Sequence, residues 1–314
     1  MHQDSRTNLI LFVIVLLLAL IAWFKPGLEQ SRFKYLSSLN SNDIHNIVIE
    51  RRGIEAIRLS KKGKHWFLQS PYHLPANPLR VRTILALAHK RSYSSFKVQE
   101  KELQRYHLDK PAVSIWLDDQ RFDIGSEAPL NGQRYALNMR ENIDSADAEG
   151  DSKFTVHLIN GAVYYQLRAR IDSFISPLLL PAGAQIQQLK WPNFTLIVNN
   201  GKWQLKTSRD RAGIDADSVS RLIQYWQETQ ASKVEARVQI NQKLEKEELL
   251  SQKSIQLKVK QADGEQTITY TIIQENNQIK LLRRDLKIAW WITPQQLKLL
   301  TEFIPVTKNL KNSP

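Results

Sequence analysis

Cysteine is missing from all 314 residues. That absence removes disulfides, thiolate nucleophiles and every cysteine-containing metal site, so stability must come from packing. Negative charge is the scarcer sign, with Asp+Glu 31 against Lys+Arg 44, a net +13. Such a balance favours anionic partners and says nothing about the fold. A hydrophobic share of 42% and a charged share of 24% mark a folded body.

Recognisable catalytic motifs are missing too. The Gly63-Lys64 pair does not make a phosphate loop, because Arg58 stands where a glycine is required and His65 where Ser or Thr is required. Gly125-Ser126 is followed by Glu127-Ala128, which is no nucleophile elbow. The seven histidines never fall at i, i+4, so spacing gives no zinc site. Asp144–Asp151 reads DSADAEGD, but a calcium loop through Asp147, Glu149 and Asp151 would need Gly at Ser152 and Glu at Leu158. It reads as a solvated insertion. Asp118, Asp119 and Asp123 flank an expected hairpin, where turn chemistry competes with an acid–base role. No cofactor is expected, and without a recognition motif the basic charge does not point to nucleic acid.

One long apolar run is present. Leu9–Phe24 reads LILFVIVLLLALIAWF without a charge, Pro or Gly. At about 1.5 Å per residue it spans roughly 24 Å, short of a hydrocarbon core of about 30 Å unless Asn8 and Trp23-Phe24 extend it into the interface. A cleaved signal is the rival, but Leu20-Ile21-Ala22 is a poor cleavage site. The expectation is an uncleaved single-pass anchor. Flanking Lys25, Arg32 and Lys34 lean the charge rule toward a cytoplasmic body.

The rest of the chain looks written twice. Ile57-Arg58-Leu59 before GKHWFL answers Leu196-Ile197-Val198 before GKWQL, setting Trp66 against Trp203. Val81, Ile84, Leu85 and Ala88 then answer Val219, Leu222, Ile223 and Trp226, both at the spacing of a helix burying one face. Asn77 before Pro78 predicts one N-cap, and Asp215 or Asp217 the other. Phe96-Lys97-Val98 matches Ser232-Lys233-Val234, Ser114–Leu117 matches Ser254–Leu257, and Val156–Ile159 matches Trp290–Ile292. Strands alternate, as in Ile255, Leu257 and Val259 against Gln256, Lys258 and Lys260. Gly63 and Gly201 read as hairpin turns, and the tryptophans after them as sheet-packing residues.

The expected fold is therefore α+β: an N-terminal transmembrane helix, then two tandem homologous repeats of mainly antiparallel sheet with helices on one face. The predicted boundaries are a tail 1–7, an anchor 8–24, a juxtamembrane segment 25–43, repeats 44–183 and 184–306, and a tail 307–314.

Lys101–Pro111, KELQRYHLDKP, follows GKHWFLQSP and precedes Asp123–Pro129, DIGSEAP. This pattern resembles the domain-of-unknown-function family 4340, with Trp66, Leu68, Pro71, Leu103, Tyr106, Leu108, Pro111, Ile124, Gly125 and Tyr135 in the family's places. His107 departs from it, standing where a left-handed cap prefers glycine. The resemblance implies a single-span protein whose body lies outside the bacterial inner membrane, in the periplasm, beside an ABC exporter of the gliding-motility type. It supplies no catalytic residues.

The expected function is a non-enzymatic accessory subunit contacting membrane lipid and transporter subunits. The alternative is a module binding an acidic polymer or lipid headgroup through two basic turns, Arg51-Arg52 and Lys61-Lys62 with Lys64. Trp66, Trp203, Tyr106, Pro111 and Gly125 are structural in both readings.

Overall fold

The structure is a computed structural model that describes residues 11–20, 34–129, 132–144, 153–192, 194–207, 215–239, 254–261, 264–275 and 277–301. Every strand ladder among them is antiparallel. The fold is α+β, with short helices packed against sheet.

Two large sheets form the body instead of one continuous sheet. The first has nine strands, in spatial order β5 (Leu74–Pro75), β4 (His65–Ser70), β3 (Ile54–Lys62), β2 (Asn46–Arg51), β8 (Val113–Leu117), β9 (Gln120–Glu127), β10 (Gln133–Asn138), β11 (Lys153–Asn160) and β7 (Ser94–Gln99). The second has eight, in order β14 (Lys202–Thr207), β13 (Phe194–Asn199), β12 (Gln185–Lys190), β16 (Ser254–Gln261), β17 (Gly264–Glu275), β18 (Gln278–Arg283), β19 (Ile288–Ile292) and β15 (Lys233–Ala236). Setting β5 aside, the strand orders are the same. A two-residue ladder, β1 (Lys34–Tyr35) with β6 (Arg91–Ser92), stands apart.

The alternation in the sequence becomes the pleat. Ile255, Leu257 and Val259 are fully buried while Lys258 and Lys260 are exposed. Each such buried side chain contributes about 2 kcal/mol from area removed from water. Turn chemistry sets the register. Asn200 and Gly201 both have positive φ, as a two-residue hairpin with strand-matched twist requires. Gly63 supplies the positive φ for the Lys62–His65 hairpin.

Helix α1 (Pro78–Leu85) begins at Asn77, whose side chain accepts from the Leu79 and Arg80 N–H groups. Two further short helices, α2 (Met139–Asp144) and α3 (Ala162–Leu167), follow in the first half. Helix α4 (Ala216–Glu228) begins at Asp215, which accepts from the Asp217 and Ser218 N–H groups. It buries Val219, Leu222 and Trp226. A last helix, α5 (Pro294–Thr301), buries Leu300.

Each sheet is entered through the same kind of latch. The Leu36 N–H donates to Lys90 O, and Leu36 O accepts from the buried Asn138 side chain. In the second half the Leu179 N–H donates to Thr229 O, and Leu179 O accepts from the Tyr270 hydroxyl. Burial pushes the Tyr270 phenol far above its ordinary pKa, so it stays a donor. One hydrophobic core runs through both halves, with Phe174, Ile175, Leu179 and Leu180 of the connecting chain inside it. A smaller cluster forms around Val98, Leu103, Leu108, Leu137 and Val156.

Of the expected anchor 8–24, residues 11–20 are described; they are helical, and all their side chains are exposed. The remainder of that span lies outside the described residues. Among the described residues no helix is long and apolar enough to cross a membrane. The tails 1–7 and 307–314 and most of the acidic insertion also lie outside them.

Candidate functional site

The two basic turns do not form one patch. Strand β3 separates them, and its nine residues hold the ends roughly 30 Å apart. Arg51 is no surface cation: it is 8% exposed and donates to Ala169 O at 3.0 Å and Glu55 O at 2.6 Å. Burial lowers its pKa, and the Arg168 and Arg237 charges act in the same direction. Arg51 ties β2 to the chain after α3, because a buried charge needs partners. Arg52 donates to Lys110 O. Lys61 donates to Asn42 O at 2.7 Å, and Lys62 lies 5.8 Å from the Phe67 ring centre. Lys64 is exposed.

Lys64 stands instead at a cleft. Strand β4, the strand edge at β5, helix α1 and residues 176–182 enclose about 660 Å³, within the usual range of small-molecule sites. Its wall is apolar, including Trp66, Phe67, Pro75, Val81, Leu85 and Leu178. Its polar side chains include Lys64, His65, Arg82 and His89. A second cleft of about 490 Å³ adjoins it, sharing His65, Phe67, Pro75 and Ala182, and reaches Gln261, Gln266 and Arg283 of the second sheet. Among the described residues, neither lining contains a carboxylate.

The hairpin acids serve other ends. Asp118, at positive φ, accepts from the His45 and Asn46 N–H groups and closes the β8–β9 turn over β2. Asp119 pairs with Arg140 at 2.7 Å. Asp123 is buried between the Ser114 hydroxyl at 2.5 Å and Arg121 Nε at 2.9 Å. None of the three lines either cleft.

A constellation that the sequence reading missed is Ser92, His157 and Glu141, the residue types of a nucleophilic triad. His157 Nδ1 lies 3.1 Å from Ser92 Oγ and Nε2 lies 2.8 Å from Glu141. The Ser92 hydroxyl donates its one proton to Ser94 O at 2.8 Å, so the imidazole donates to the serine and cannot deprotonate it in this arrangement. Ser92 and His157 are 5% and 1% exposed. The network joins β6, β11 and α2.

The sequence signature gathers elsewhere. His107 has φ 53°, the left-handed cap of the 3₁₀ turn Glu100–Tyr106, with its side chain exposed. Behind the cap, Phe96, Tyr106 and Tyr135 make an edge-on aromatic group, with ring centres 4.7 to 6.3 Å apart. Gly125 lies against this turn, where an added Cβ would come within 2.3 Å of Tyr106 O. Pro111 follows the turn and is half-buried. Trp66 and Trp203 are half-buried against the main core.

A model of the domain of unknown function DUF4340 matches residues 66–253. The chain belongs to the DUF4340 family. The match begins at Trp66 in β4 and runs into the second half, before β16. No curated protein and no solved structure matches the chain. Of the residues that carry the resemblance, Leu103, Tyr106, Leu108, Gly125 and Tyr135 lie in or against the satellite cluster and its turn, while Trp66 packs on the main core and lines the larger cleft.

Proposed function

We propose that this DUF4340 protein is a non-enzymatic, membrane-tethered binding subunit. In this reading the segment 8–24 is a single-pass anchor in the bacterial inner membrane and the body is periplasmic. The body is one unit built twice, and it serves an ABC-exporter-type complex. The like strand orders and the paired latches at Leu36 and Leu179 support the duplication. The exporter partner and the periplasmic side rest on what the family resemblance implies.

The observation that carries the binding role is the apolar cleft beside β4, lined by no carboxylate among the described residues. An apolar wall with a few convergent polar groups is the ordinary form of a binding site. The test is affinity capture of the full chain from membranes, with a topology reporter after Pro314. Co-purification of transporter subunits and a periplasmic signal are expected. Recovery of no transporter subunit, or a cytoplasmic signal, overturns the reading.

A further inference from the structure

The adjoining clefts carry a chemistry that an accessory role alone does not need. We propose that they hold a single-chain anionic amphiphile, its acyl chain along the apolar wall and its acidic head between Lys64 and Arg82.

Three observations point to this ligand class. The first is charge. Lys62, Lys64 and Arg82 line the two clefts together with His65, His73 and His89, and among the described residues no Asp or Glu does. Arg283 also reaches the smaller cleft but is already paired with Asp285. Among the described residues Lys64 and Arg82 make no ion pair. Cations left without counter-charges beside low-dielectric walls attract an anion strongly.

The second is the wall. Trp66, Phe67, Val81, Leu85 and Leu178 offer an alkyl chain aromatic and aliphatic surface beside the charged side chains.

The third is the main chain, which decides between an acyl chain and a peptide. A bound peptide needs partners for its own N–H and C=O groups, and strand addition needs an open edge. Here the edge is spent. Trp66 O accepts from the Ala76 N–H, Phe67 and Leu68 pair with Pro75 and Leu74, and Pro75 O accepts from the Ser176 N–H. The Asn77 N–H donates to Phe174 O, and Pro75 and Pro78 have no N–H to give. An alkyl chain asks for no such partners.

The inference goes beyond the subunit reading and does not depend on which complex the protein serves. It is tested on the full chain in zwitterionic nanodiscs with a photoreactive dodecyl phosphate, mapping the crosslinked peptides. Labelling within residues 64–89 is expected. It should fall at least five-fold in a Lys64→Gln, Arg82→Gln variant whose melting temperature is unchanged, since both side chains are exposed. A trimethylammonium probe with the same chain should not label there. Labelling confined to residues 8–24 overturns the proposal. So does equal labelling by the cationic probe, or no loss in the double variant. Displacement by inorganic phosphate alone would mean a phosphate site, and displacement by an acidic amphipathic peptide as efficient as by unlabelled dodecyl phosphate would mean a peptide site; either overturns it. Failure of membrane capture, by contrast, would leave this result standing.

Discussion

The two sheets run their strands in one order but fill and finish them differently. The first closes its edge with the two-residue strand β5 and gains a cleft there, while among the described residues the second ends on β14. Within the shared core the first half contributes mostly aliphatic side chains such as Ile47, Ile57 and Ile115, with Phe122, while the second stacks Trp226 on Tyr270 with Trp290 edge-on to it. The latches repeat one backbone pattern, a leucine N–H to the carbonyl just after a helix, but take their side-chain donors from strands that are not counterparts, Asn138 in β10 and Tyr270 in β17. What the two halves share is therefore backbone geometry, and what separates them is side-chain chemistry. One strand order can accommodate such different side chains because volume and patterning decide folding more than residue identity does.

The sharpest way to break the comparison is at the aromatic core. Trp226 is fully buried and its indole N–H donates to Leu300 O at 3.1 Å, so Trp226→Ala should cost about 4 kcal/mol in urea denaturation. Next is Gly125→Ala, which drives a Cβ into the Tyr106 carbonyl. A loss of about 3 kcal/mol is expected, because backbone on both sides must move.

The latches give a matched pair. Asn138→Ala and Tyr270→Phe each leave a buried carbonyl short of a donor, and each should cost about 1–3 kcal/mol. Similar losses would sharpen the equivalence of the two latches, and a loss in one half only would break it.

The helix caps differ in a way that pH can read. Asn77→Ala should cost about 1 kcal/mol at any pH, since an amide cap does not titrate. Asp215 has its pKa held below the ordinary 3.8, chiefly by the Ser218 hydroxyl, with the Ser218 and Asp217 N–H groups and Arg221 adding. A carboxyl depressed on folding stabilises above its unfolded value, and that stability disappears as pH falls through the folded one. Melting followed from pH 7 to below 3.8 should therefore show an acid-sensitive component that Asp215→Asn removes.

Local rules were legible in the sequence. The glycine turns, the Asn77 cap, the helix faces and the strand alternation depend on a few neighbouring residues, and each is written there; the left-handed His107 came from the family pattern, and the structure chose Asp215 over Asp217 as the second cap. The cleft was not. It joins Lys64, Val81 and Leu178, and no periodicity encodes which distant segments meet. Arg51 misled for a related reason: its neighbours Arg52 and Gly53 announce a surface turn, while the carbonyl that holds it comes from Ala169. Ser92, His157 and Glu141 follow no motif spacing, so only the pairing of β7 with β11 brings the first two into range.

That pairing also sets a timetable. Val98 finds its partner in Phe154, and Val234 finds its partner in Trp290, the same distance along the chain in both halves. At a synthesis rate of about 5–20 residues per second, each outer strand waits on the order of 3–10 s before its neighbour emerges. During each interval an open row of N–H and C=O groups faces whatever else is nearby. Vectorial synthesis thus gives the molecule two separate windows of vulnerability, and the first must close before the second opens.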